Sequence, residues 1–226
     1  MADLKSGHCT RHGAGLKTGH YTMKTAAKRG MDVVVAALAL AVLWPVMLAV
    51  GVAIRACDGG PVIFRQRRPG LNGRPFTLLK FRTMREARDA EGRLLEDETR
   101  LTALGKVLRE LGLDELPQLW NVLRGRMSLV GPRPLLMEYM ERYSPEELHR
   151  HDTKPGITGW AQVNGRNGLT WPEKFSLDLW YVDNRSFWLD IRIIVRTLWQ
   201  VLKREGISQP GHATMPEFSA SERNAP

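Results

Sequence analysis

The sequence predicts a mostly helical α+β fold: a re-entrant, membrane-inserted helix joined to a small domain with a short β-hairpin and interfacial amphipathic helices. Three observations carry that reading. Residues 33–54, VVVAALALAVLWPVMLAVGVAI, form an uncharged run of 22. As a straight helix it reaches about 33 Å, enough to cross a hydrocarbon core of roughly 30 Å. Two short β-rich pieces, 62–66 and 75–81, flank a turn sequence, and helical periodicity follows them.

Composition bounds the rest. A chain of 226 residues suits one domain with an anchor. Hydrophobic residues at 43% and charged residues at 25% exclude both wholesale disorder and a polytopic membrane bundle. Lys and Arg number 33 against 24 Asp and Glu, a net charge of +9, so anionic partners are expected: phosphates, nucleic acid or acidic lipid. Cys9 and Cys57 lie far apart with no CxxC, which offers neither a disulfide framework nor a zinc knuckle and suits a reducing compartment.

Taken in order, residues 1–23 lack periodicity and read as a flexible tail, and 24–54 as the membrane helix. The run begins too late, is too long and lacks a small-residue cleavage site, which argues against a signal peptide. Lys17, Lys24, Lys28 and Arg29 precede it; Arg55, Arg65, Arg67 and Arg68 follow. Positive charge prefers the cytoplasmic face, and both flanks carry it. A bend at Pro45, which lacks an N–H, would return the helix to the face it entered; a kinked single span is the alternative. Pro69-Gly70-Leu71-Asn72-Gly73 supplies the turn of a β-hairpin. The stretch 85–100 is charge-dense and exposed, as helix or loop. Helices are expected at 101–111 and 116–123, the second with Pro117 in its first turn. Ser144-Pro145-Glu146-Glu147 has the N-cap, N1 and N3 residues of a helix start. Gly-rich loops occupy 156–168, and 187–204 forms a basic amphipathic helix with tryptophans, suited to a membrane surface or to the domain core. Residues 206–226 read as a second tail, leaving 55–205 as the domain proper.

The chain has no GxGxxG, GxxxxGK[ST], HExxH or GxSxG. His149-Arg150-His151-Asp152 reads as a solvated run on a charged helix end rather than a metal site. Asp114 and Glu115, adjacent acids just before an apolar helix, have two readings. One is an N-cap. The other is a site where a helix start beside arginines gathers phosphate while a carboxylate holds Mg²⁺ or attacks phosphorus. In Ser128-Leu129-Val130-Gly131-Pro132-Arg133-Pro134, two prolines stiffen the backbone around Arg133, as a phosphate clamp or a surface turn. Residues 154–167 combine glycines, amides, Trp160 and Arg166, groups able to read and stack on a sugar or base.

In this order these clusters resemble the monotopic phosphoglycosyl transferases of the bacterial sugar transferase family. The resemblance spans roughly 24–205: Lys28-Arg29-x-x-Asp32, Gly60-Pro61-Val62-Ile63-Phe64-x-Gln66-x-Arg68-Pro69-Gly70, Lys80-Phe81-Arg82-Thr83-Met84, Leu113-Asp114-Glu115-Leu116-Pro117-Gln118, 128–134 and 155–167. It implies a catalytic domain at the cytoplasmic face of a bacterial inner membrane, held there by a re-entrant helix. It also implies transfer of a sugar 1-phosphate from a UDP-sugar to polyprenol phosphate with release of UMP, the first membrane step of glycoconjugate assembly. The short length is similar to members acting on N-acetylated, bacillosamine-type sugars in protein glycosylation, alongside other glycan-assembly enzymes. By this resemblance Asp114 is the nucleophile and a Mg²⁺ ligand, and Glu115 its partner in proton handling or metal placement. Lys80, Arg109, Arg133 and Arg166 hold phosphate, and Asp178 lies in a family motif without a defined role. Trp44-Pro45 stands where the family often has Ser-Pro, keeping the proline of the kink.

Rival readings are a membrane-tethered nucleic-acid module, a non-catalytic scaffold, and a phosphotransferase in which Asp114 only holds Mg²⁺. Arginines interleaved with Gly and Pro, rather than gathered on one basic face, argue against nucleic acid.

Overall fold

The computed structural model describes residues 18–165, 168–203 and 218. Its first element, α1 (Thr18–Cys57), is a single 40-residue helix with Pro45 inside it. One expectation is corrected here: residues 18–23, read as tail, are helical, and helical structure runs through Pro45 without interruption. Proline removes one donor from the hydrogen-bond ladder, and the helix continues past it.

One stripe of α1 faces the domain along most of its length. Asp32, Ala36, Val50 and Ile54 are buried, with Ala39, Leu40 and Met47 packed between, the spacing of one helical face. Val34, Leu38, Val42, Trp44, Leu48 and Val52 on other faces stay exposed. Among the described residues, Ala26–Cys57 is the one helix long and apolar enough to cross a membrane, and it is the membrane-associating element.

Three charged residues near the start of this helix, Lys28, Arg29 and Asp32, point into the protein. Lys28 Nζ meets Asp190 Oδ2 at 2.5 Å and donates to the Val130 carbonyl at 3.2 Å. Tyr181 donates to Asp190 Oδ1 at 2.7 Å, and its hydroxyl oxygen lies 3.1 Å from the same carbonyl. Arg29 donates to the carbonyls of Val122 and Leu123 at 2.6 and 2.8 Å, and Asp32 Oδ1 accepts from the Leu129 amide at 3.1 Å. At the far end, Arg82 donates to the carbonyls of Asp58 and Gly59. The Asp58 carboxylate accepts from Arg85 and Thr102, both at 3.0 Å.

Strands β1 (Ile63–Pro69) and β2 (Pro75–Phe81) form the expected antiparallel hairpin, with Asn72 at φ 53° in the turn. The register pairs Phe64 with Lys80, Gln66 with Leu78 and Arg68 with Phe76, so these six residues share one face. The charge-dense stretch is mostly irregular and ends in α2 (Asp97–Arg100). Next come α3 (Ala103–Glu110), capped by Thr102, and α4 (Gln118–Leu123). Strand β3 (Ser128–Val130) leads through a loop to α5 (Pro145–Leu148), which has the capping box read from Ser144 and Glu147. Strand β4 (Gly156–Thr158) then pairs in parallel with β3. A Cβ at Gly131 or Gly156 would run into the opposite backbone, so only glycines let these two segments approach so closely.

Short α6 (Trp160–Val163) precedes α7 (Trp171–Asn184) and α8 (Phe187–Lys203). One core joins Ala36 of α1 to Phe76, Leu78, Val122, Met127, Val130, Tyr181 and Ile193; a second joins Val50 and Ile54 to Phe81 and Leu108. The third is aromatic: Tyr139, Tyr143, Trp171, Phe175 and Phe218. Phe218 falls in the segment read as a loose tail, yet it is buried, and its N–H donates to Tyr139 Oη at 3.0 Å.

Candidate active site

A cavity of about 500 Å³ opens where α1, α3, α7 and α8 meet the loops after β3 and β4. That size is ordinary for a small-molecule site. Its wall is divided. Arg109, Asp114, Glu115, Arg133, Lys174 and Asp178 make one part charged; Ala39 and Leu43 of α1, Leu116, Leu135, Ile157 and Val201 make the other apolar.

Asp114 lies in a one-turn 3₁₀ segment, Leu113–Glu115, between α3 and α4. Gly112, at φ 67°, makes the left-handed turn that aims this segment back at β2. The N-cap reading of the acids fails on geometry: α4 begins three residues after Glu115, its cap position is Pro117, and no side chain caps it. The Asp114 carboxylate is therefore left to the cavity. Lys80, sent from β2, stands 3.8 Å from Asp114 Oδ2 and 2.8 Å from Glu115 Oε1. Arg133 Nη2 meets the same Glu115 oxygen at 2.6 Å. Arg109 lines the cavity and donates from Nε to Thr83 Oγ1 at 3.1 Å.

The two acids have opposite electrostatics. Burial pushes the Asp114 carboxyl up from the usual range; Lys80 opposes this, and the neighbouring Glu115 charge adds to it. Burial resists ionisation of Glu115 too, but Arg133 and Lys80 outweigh it and hold that carboxyl well below the usual range. Glu115 is thus the acid that two cations, Lys80 and Arg133, hold directly. Asp114 is the desolvated and only distantly paired member of the pair.

Of the expected residues, Arg109, Asp114, Glu115 and Arg133 line the cavity, and Lys80 reaches the two acids from β2. Asp178 lines the same cavity but is engaged at 2.6 Å by Arg150 Nη2. Arg166 lies outside the described residues. Pro45 lies within α1 and does not line the cavity. Two residues were missed. Arg150, read as part of a solvated run, is 2% exposed; nothing in a charged tetrapeptide distinguishes it from a surface arginine. Lys174 lines the cavity, and burial together with the Arg133 charge pushes its ammonium down to about 8. Its spacing of four from Asp178 on α7 was a readable signal that the two share a helix face.

Among the described residues, no group of three His, Cys, Asp or Glu side chains could hold a metal ion alone. That does not exclude Mg²⁺, which usually takes one or two carboxylates and completes its shell with water and substrate phosphate. Asp114 is the carboxylate available for such a site.

Comparison with known proteins agrees with this arrangement. The family model described as "Bacterial sugar transferase" matches residues 23–204. The chain is 53% identical over 194 residues to a Bacillus subtilis (strain 168) protein named "Uncharacterized sugar transferase EpsL", covering 86% of this chain and 96% of that one. It is 48% identical over 189 residues to the UDP-glucose:undecaprenyl-phosphate glucose-1-phosphate transferase of Xanthomonas campestris pv. campestris, covering 78% of this chain but 39% of that longer protein. An Aeromonas hydrophila UDP-N-acetylgalactosamine-undecaprenyl-phosphate N-acetylgalactosaminephosphotransferase is 40% identical over 183 residues, 77% of this chain and 43% of that one. With a family match from the start of the membrane helix to the end of α8, around a charged cavity bordered by that helix, the chain belongs to the bacterial sugar transferases.

Proposed function

We propose that this transferase moves a sugar 1-phosphate from a UDP-sugar to polyprenol phosphate in two displacements, through a phosphosugar carried on Asp114. In the first, an Asp114 carboxylate oxygen attacks the β-phosphorus, a new P–O bond forms, and the bond to the α-phosphate oxygen breaks, releasing UMP. In the second, a phosphate oxygen of the lipid attacks the same phosphorus, forming the lipid diphosphate and returning the carboxylate. Neither displacement requires a proton on the reacting oxygens.

The single observation that carries this reading is the position of Asp114. It is a desolvated carboxylate at the junction of a basic wall suited to a diphosphate and an apolar wall partly supplied by the membrane helix. In this reading Lys80, Arg109 and Arg133 hold phosphate charge, with Glu115, which contacts the first and last, aligning them. Mg²⁺, held by Asp114 and substrate phosphate, would supply further charge neutralisation. The relatives' names include both UDP-glucose and UDP-N-acetylgalactosamine, so the donor screen spans UDP-hexoses, UDP-N-acetylhexosamines and bacillosamine-type sugars. Intact-protein mass after incubation with the right donor and no acceptor should rise by one sugar phosphate. A clean absence of adduct, in a preparation that turns over once lipid is added, overturns the covalent step.

We also infer that α1 enters and leaves on the cytoplasmic face. Support comes from its two ends: Lys28 and Arg29 at one, and Ile54 and Asp58 at the other, all contact the same domain. A helix crossing the bilayer would separate them by roughly 30 Å of hydrocarbon. The sequence holds two cysteines, so Cys57→Ser leaves Cys9 as the only thiol. Cys9 should resist a membrane-impermeant maleimide in spheroplasts and react after lysis; labelling in intact spheroplasts rejects the topology.

A further inference from the structure

The sequence around Arg133 poses a mechanical problem. Pro132 and Pro134 carry no N–H, so the loop that presents the clamp has few donors with which to anchor itself. It must be held by its carbonyls, and three successive ones are held from three different elements. The Pro132 carbonyl accepts from the Gly156 amide at 3.0 Å, that of Arg133 from Arg150 Nη2 at 2.9 Å, and that of Pro134 from Arg68 Nη1 at 3.4 Å. The middle one is the carbonyl of the clamp residue itself.

We propose that Arg150, aligned by Asp178, is a positioning residue that sets the clamp Arg133. Arg150 Nη2 lies 2.6 Å from Asp178 Oδ2, and Nη1 donates to Tyr143 Oη at 3.1 Å. The guanidinium lies over the rings of Tyr143 and Phe175, each centroid 5.6 Å away. Side-chain exposures of 2% and 5% make Arg150–Asp178 a buried ion pair. Such pairs contribute little net stability, because desolvation offsets attraction, and well-packed apolar replacements often fold as well. Stability alone therefore explains the pair poorly. Its geometry explains it well: a planar fork, fixed by one carboxylate and two rings, delivers an N–H to the backbone of Arg133, whose side chain reaches Glu115 beside Asp114. This gives Asp178 a role at one remove from the chemistry, through Arg150 and the loop.

The activity arm of the test rests on the reaction proposed above; the exchange arm does not. The full-length protein carrying Arg150→Met with Asp178→Leu keeps an apolar filling and removes both charges. Its Tm should stay near wild type. Hydrogen exchange over 131–136 should accelerate without any substrate present, and the KM for the UDP-sugar should rise roughly 10–100-fold, the usual loss when an orienting partner is removed, with little change in the acceptor KM. Arg150→Lys, which keeps charge but not the fork, should shift both readouts in the same direction. If the double variant does not fold, Asp178→Asn carries the test, with a smaller shift of the same sign. A folded variant with unchanged loop exchange and unchanged donor KM overturns the proposal. A wild-type enzyme that releases no UMP from any UDP-sugar sinks the reaction instead, and loop exchange alone then decides the role of Arg150.

Discussion

The molecule contains two lysine–carboxylate centres that begin from the same ingredients and end differently. At the foot of α1, Lys28 and Asp190 close at 2.5 Å, Tyr181 takes the other carboxylate oxygen, and both donors reach the Val130 carbonyl. Every member is used by another. At the cavity, Lys80 sits 2.8 Å from Glu115 and only 3.8 Å from Asp114, and Arg133 crowds the oxygen that Lys80 already uses. Here two cations compete for one anion while a second anion goes short. A closed centre fastens a helix. An open one keeps charge in reserve for a phosphate that has not yet arrived, at some cost in stability.

Asp114→Asn should break this contrast most sharply. UMP release should fall about 10⁴-fold or more, the scale for losing a nucleophile that acts within a unit. The folded carboxyl titrates above its unfolded value, so its ionised form weakens the fold at neutral pH, and that penalty vanishes as pH falls below the ordinary Asp range. Thermal denaturation should therefore show Asp114→Asn more stable than wild type at pH 7, with the gap closing in acid. Arg133→Ala comes next, with kcat/KM down roughly 10²–10³-fold. Lys28→Met probes the closed centre. It strands the 1%-exposed Asp190 carboxylate without its cation, and chemical denaturation should record a loss of roughly 3 kcal/mol, while UMP release per folded molecule stays close to wild type. Equal damage to catalysis from Lys28→Met and Arg133→Ala would erase the distinction between the two centres.

Legibility in the sequence followed the range of the interaction. The hairpin was readable because Asn72-Gly73 states its own turn, and the Ser144 helix start because a capping box is complete within four residues. The same box, Thr170 with Glu173 and Pro172 between, opens α7 and was equally readable, though the neighbouring Gly-rich loop obscured it. Parallel pairing of three-residue strands, Ser128 opposite Gly156, left no periodicity to find. The acid pair and its cations were legible as residue types. That Glu115 would absorb both Lys80 and Arg133, leaving Asp114 underpaired, depends on Lys80 arriving from a strand 35 residues away. Lys28 and Arg29 were read as membrane flanks because charge beside an apolar run has that meaning locally; tertiary packing turned them inward, together with Asp32.

The finest test asks whether the open centre is tuned as its geometry states, through the acid limb of the first half-reaction. UMP release in a single turnover without acceptor removes the lipid phosphate from the titration. Lys174, near 8, titrates on the alkaline side, so under the proposed mechanism, in which ionised Asp114 attacks, the acid limb is that of Asp114. Burial raises that carboxyl, Lys80 lowers it and Glu115 raises it. Lys80→Gln should then move the limb to higher pH, and Glu115→Gln to lower pH. Both variants will also lose amplitude, since both disturb phosphate holding, but only the position of the limb carries the sign. Shifts in the same direction would mean that the two neighbours do not act on Asp114 through their charge, and the open centre would have to be explained by shape alone.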